Sequence, residues 1–115
     1  ARRIATPNRL DQGELRVIAR GPSFESLLAE AFDQIRQNAA GNVAIMSRML
    51  GALQTIASLT TSPGRRRAVR ERVQWIAELA KRTIESPYDK ARFESRLARV
   101  RDALEDEDRF KAREE

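Results

Sequence analysis

Phe24-Glu25-Ser26-Leu27-Leu28-Ala29-Glu30-Ala31-Phe32-Asp33-Gln34-Ile35-Arg36-Gln37 is the stretch whose reading decides the fold. Its apolar positions, Phe24, Leu27, Leu28, Ala31, Phe32 and Ile35, follow the i, i+3, i+4, i+7, i+8, i+11 series of one helix face. Nearly everything else in it is polar or charged and falls on the other face. An amphipathic helix of this kind needs other helices to pack against, so the chain reads as a helical domain.

Working outward toward the C-terminus, Gly41 suits a left-handed helix end and Asn42 a helix N-cap. A second helix is predicted from about Val43 to Thr60. Val43, Met46, Leu50, Leu53 and Ala57 form one apolar stripe, and Ile45, Met49, Ala52, Ile56 and Leu59 widen it past half the circumference. A helix apolar that far round is central in a bundle or buried against a partner. Its only charge is Arg48, and Gly51 inside it is explained by close helix approach. Ser62-Pro63 starts a third helix, running to about Ile84, with Ala68, Val69, Val73, Trp75, Ile76, Leu79 and Ala80 on one side. Arg66, Arg67, Arg70, Gln74, Glu78 and Lys81 fall on the other. Ser86-Pro87 repeats the start signal for a fourth helix to about Leu104, with Phe93, Leu97, Val100 and Leu104 as a narrow seam. Residues 105–115 read as a charged tail that frays.

Toward the N-terminus, Ser23 is the expected cap of the opening helix. Leu15-Arg16-Val17-Ile18-Ala19 reads as a short strand, paired with Arg9-Leu10 across the Asp11-Gln12-Gly13 turn. Residues 1–22 are thus an arm with a short β-hairpin, residues 23–104 a four-helix domain. The expected fold is mainly α: four helices in an antiparallel arrangement with a short N-terminal hairpin or strand.

Composition narrows the chemistry. The 115 residues contain no histidine and no cysteine, which removes the usual neutral-pH acid/base, the commonest zinc ligand and thiolate chemistry. Neither a Gly-x-Ser-x-Gly elbow nor a phosphate-binding glycine loop is present. The chain is therefore expected not to be an enzyme and to need no cofactor or metal. No apolar run approaches the roughly 18–20 residues of a membrane span.

The net charge of +5 is unevenly placed: residues 1–63 carry +2, residues 64–104 +6 and residues 105–115 −3. Arg65, Arg66, Arg67 and Arg70 form a candidate basic patch, and Arg92, Arg96 and Arg99 lie on one side of the fourth helix. A solvated helix surface is the ordinary explanation of such charge; nucleic acid or anionic lipid headgroups are the alternative partners. Arg72 is unusual because helical geometry places it among Ala68, Val69, Trp75, Ile76 and Leu79. It should be at least half buried and within hydrogen-bond reach of an acidic side chain or a carbonyl.

Glu14-Leu15-Arg16-Val17-Ile18-Ala19, Pro22-Ser23-Phe24 and Ala31-Phe32-Asp33-Gln34-Ile35-Arg36-Gln37, taken as a set, carry a family resemblance. Asp11-Gln12-Gly13 before them and Met49-Leu50-Gly51-Ala52-Leu53 after them fit the same pattern. The set resembles the C-terminal soluble domain of the DUF2254 family of predicted bacterial membrane proteins, clearly from Arg9 to Ile56 and loosely to Leu104. The resemblance implies transmembrane helices before this region, in keeping with a chain that starts at Ala1. It further implies membrane association through the parent protein, with this domain on the cytoplasmic side. No activity is assigned to the family, so no catalytic residue is carried over. Asp33, Gln34, Arg36 and Arg72 are the candidate interaction residues. Self-association as a homodimer or higher, through the broad face of the second helix or the strand edge, is the expected partnership, together with the transmembrane part of the parent protein.

Overall fold

The chain is built around its most apolar helix. The computed structural model describes residues 12–33 and 36–114, with side chains given for residues 13–33, 38–109. Every regular element among these residues is helical. They are α1 (Gln12–Arg20), α2 (Phe24–Leu28) continuing directly into a π-helical turn (Ala29–Asp33), α3 (Arg36–Ala39), α4 (Val43–Leu59), α5 (Pro63–Thr83) and α6 (Pro87–Glu114). Helix α4 packs against α1, α3, α5 and α6, and buries Met46, Met49, Leu50, Ala52, Leu53, Ile56 and Ala57. The broad apolar face is thus used inside the domain. The molecule measures 42 × 37 × 19 Å, about two helix layers thick.

The predicted helix starts are found at the expected residues. Asn42 Oδ1 accepts the Ile45 amide at 3.1 Å, and Ser62 Oγ accepts the Arg65 amide at 3.3 Å with Pro63 in the first helical position. Ser86 Oγ accepts the Asp89 amide at 3.3 Å. These bonds satisfy amides that have no partner within their own helix. Gly41 has φ +73° and its amide donates to Thr83 Oγ1 at 2.9 Å, joining the entry of α4 to the end of α5. Ser23 departs from expectation: it precedes α2, but its side chain makes no capping bond.

Two predicted features are corrected. The strand at Leu15–Ala19 is helix, so a fifth helical segment stands where the hairpin was predicted, and no strand occurs among the described residues. The predicted partner, Arg9-Leu10, lies outside them. Leu15, Ile18 and Ala19 are buried and Val17 is 53% exposed, which is the i, i+3, i+4 pattern. A five-residue run fits both periods. Glu14 in the first turn and Arg20 in the last favour the helix through its dipole. The second correction is at the other end, where α6 continues to Glu114 instead of fraying after Leu104.

The opening amphipathic face is buried as read: Phe24, Leu28, Ala31 and Phe32 are in the core and Leu27 lies against it. Ile35 lies outside the described residues. The seam of α6, Phe93, Leu97, Val100 and Leu104, is also buried.

Candidate functional site

The structure brings together two residues that the sequence singled out separately. Asp33 closes the π-helical turn and Arg72 lies midway along α5. Arg72 Nε donates to Asp33 Oδ1 at 3.2 Å and Nη2 to Oδ2 at 3.1 Å, a bidentate pair. Arg72 Nη1 also reaches the Ala68 carbonyl at 3.4 Å. The arginine side chain is 18% exposed and the aspartate 45%. Arg72 thus has the burial and the acidic partner expected of a charge on an apolar helix face. Gln34 lies outside the described residues; Arg36 opens α3, its side chain outside them.

The patch Arg65, Arg66, Arg67 and Arg70 does not form one free surface. Arg65 Nη1 donates to the Ala19 carbonyl at 3.0 Å, and its guanidinium lies 4.9 Å from the Phe24 ring centre. Arg66 is buried, not solvent-facing: Nη1 donates to the Thr60 carbonyl at 3.3 Å and Nε lies 2.7 Å from Asp108 Oδ1. The Nε contact is a charge contact without hydrogen-bond alignment. Asp108 is shared with Arg70. Arg67 is exposed. Arg20 completes the set from α1, donating Nε to the Leu59 carbonyl at 2.9 Å. Ala19 and Leu59 lie in the last turns of α1 and α4, where carbonyls lack an intrahelical donor, and arginines from neighbouring elements supply one.

A different basic site forms across α4 and α6. Arg92, Arg96 and Arg99 are spaced i, i+4, i+7 on α6 and face Arg48, the lone charge of α4. The four line an open groove of about 640 Å³ in which Asp89 is the only carboxylate. None of the four forms an ion pair with another described residue. The guanidinium of Arg92 lies 5.6 Å from the Tyr88 ring centre. Gly51 adds a further detail, since a Cβ placed there would be 3.0 Å from Arg96 Nη2. The missing side chain lets Arg96 lie across α4, which gives the predicted close approach at Gly51 its physical content.

The sequence signal for this groove was the heptad-like spacing on α6. What the linear chain hid was Arg48, brought opposite by packing. Among the described residues no group of three or more acidic side chains could hold a metal ion.

Residues 1–55 match the sequence model of DUF2254, a family described as a predicted membrane protein. Over those residues the chain is similar to DUF2254 sequences. The chain matches no curated protein and no solved structure. The DUF2254 match covers just under half of the 115 residues and ends inside α4. It includes Asp33 and Arg48, whereas Arg72, Arg92, Arg96 and Arg99 lie beyond it. No helix among the described residues is long and apolar enough to cross a membrane.

Proposed function

We propose that this chain is a membrane-extrinsic, non-enzymatic domain of a DUF2254 membrane protein, with an assembly or regulatory role. The DUF2254 match is the observation that carries the reading. The described helices add to it: their apolar faces are used in packing against one another, as in a water-facing domain. In this reading the domain sits on the cytoplasmic side and works with the membrane-spanning part of its parent protein. Absence of histidine and cysteine supports a role without catalysis.

Self-association belongs to the same proposal. The apolar face of α4 is used inside the domain, so a second copy would use the shallow groove between α5 and α6. Ala77, Ile84, Leu97 and Ala98 provide apolar surface there, and Glu78 and Lys90 provide charges of both signs. Fractionation of the complete gene product tests the main reading: it should sediment with membranes and resist alkaline extraction. Recovery in the soluble fraction would exclude it. Light scattering on the 115-residue chain at high concentration should show a dimer, and a strict monomer would remove self-association.

A second reading, a basic module for an anionic partner, is favoured by the α4–α6 groove. The Arg65–Arg67 run gives it little support, because Arg65 and Arg66 are occupied within the fold.

A further inference from the structure

We infer that the α4–α6 groove binds the phosphate-bearing headgroup of an anionic phospholipid, with Arg48, Arg92, Arg96 and Arg99 as its ligands. The inference rests on the membrane-extrinsic reading above, which puts a lipid surface beside the domain.

Four guanidinium groups around one open groove repel one another and, with Asp89 the only carboxylate of the described lining, outnumber the negative charge there. An anion with several oxygens is the complementary occupant. Guanidinium suits phosphate because its planar fork can donate two parallel N–H bonds. Ser47 and Ser95 line the same groove, one from each helix. The volume, about 640 Å³, falls in the range of small-ligand sites.

The rest of the lining selects a lipid over other phosphates. Val43, Ala44 and Phe93 give the groove an apolar wall beside its cations. A free phosphate has nothing to place against that wall, whereas a phospholipid has its glycerol and first methylenes. Nucleic acid fits less well. Binding single strands calls for aromatic faces on which bases stack. Tyr88 is the one exposed aromatic among the described residues nearby, and the Arg92 guanidinium lies over its ring.

Gly51 and Arg96 form the built part of the site. Glycine in a helix interior is unfavourable relative to alanine. Here it gives room for the Arg96 guanidinium against α4, on the same helix face as Arg48 three residues earlier.

The test is co-sedimentation of the 115-residue chain with phosphatidylcholine vesicles, with and without phosphatidylglycerol. Binding should require phosphatidylglycerol and weaken as salt is raised. Each arginine near an anionic surface contributes about fivefold to partition. The double variant Arg48→Ala, Arg96→Ala should therefore bind on the order of 20-fold more weakly, and Arg48→Lys, Arg96→Lys, which keeps the charge and loses the planar fork, should fall between it and the unaltered chain. Arg67→Ala, Arg82→Ala removes the same charge from exposed positions on α5 and should change binding less than about twofold. Circular dichroism checks that each variant is folded. Equal losses in the two alanine pairs would reduce the effect to net charge and overturn the site. So would absence of binding to phosphatidylglycerol vesicles. Binding of soluble glycerol phosphate as tight as that of vesicles would overturn the lipid assignment, and so would tighter binding of an oligonucleotide through the same arginines. None of these outcomes changes where the complete gene product fractionates, so failure here is distinguishable from failure of the membrane-domain reading.

Discussion

At the scale of single residues, the arginines divide by what they touch. Arg66 is the most constrained, with a side chain 7% exposed and a charge shared with Asp108, itself 25% exposed. Removing it takes one of two cations from Asp108, which keeps Arg70, and also removes the bond to the Thr60 carbonyl. Arg66→Ala should therefore cost about 2 kcal/mol in urea denaturation, while Arg67→Ala should stay within about 0.5 kcal/mol. The glycines give a second contrast. Gly41 needs its positive φ, so Gly41→Ala should cost about 1 kcal/mol. Gly51 is helical, and the atom its new Cβ would meet is the far end of an exposed arginine. Gly51→Ala should then raise stability by about 0.5 kcal/mol in the same measurement, with Arg96 displaced.

At the scale of elements, the long helices were legible because their caps and faces are local. Asn42, Ser62 and Ser86 cap from positions within three residues of the amides they bind. The segment at Leu15–Ala19 was not legible, because Leu15, Val17 and Ala19 alternate as a strand would while Leu15, Ile18 and Ala19 share a helix face. Only the surface offered by α4 decides between them. Arg66 was misplaced for a similar reason. Its position on α5 lies beside the solvent face, and the carboxylate that accompanies it inward is on the far end of α6. That end was read as a tail because its apolar seam stops at Leu104, yet Asp108 ties it to α5. Of the candidate site, Asp33 and Arg72 were each legible and their pairing was not, since it depends on how the π-helical turn lies against α5. The pair is part-exposed, so its worth is modest. A double-mutant cycle on Asp33→Ala and Arg72→Ala should give a coupling of about 0.5–1 kcal/mol that shrinks at high salt.

At the scale of the whole molecule, the DUF2254 match and the packing have different limits. The match stops at residue 55, inside α4, whose C-terminal half is needed to seat Ile56 and Ala57 in the core. Residues 1–55 alone would leave Met46, Met49 and Leu53 without α5 and α6 against them. A chain cut at residue 55 should accordingly lose its cooperative thermal transition, with calorimetry as the measurement.

The arginine bonds to helix-end carbonyls reach further than stability. Arg20 to Leu59 and Arg65 to Ala19 join parts of the chain far apart in sequence, while α4, α5 and α6 are joined by short connections. Contacts between chain neighbours close first, because closing a longer loop loses more entropy. Residues 12–28 should therefore dock onto α4, α5 and α6 after these have packed together. In stopped-flow chevrons Arg20→Ala should steepen nothing and leave the refolding limb in place, while unfolding becomes severalfold faster. A slower refolding limb would instead put α1 in the folding nucleus.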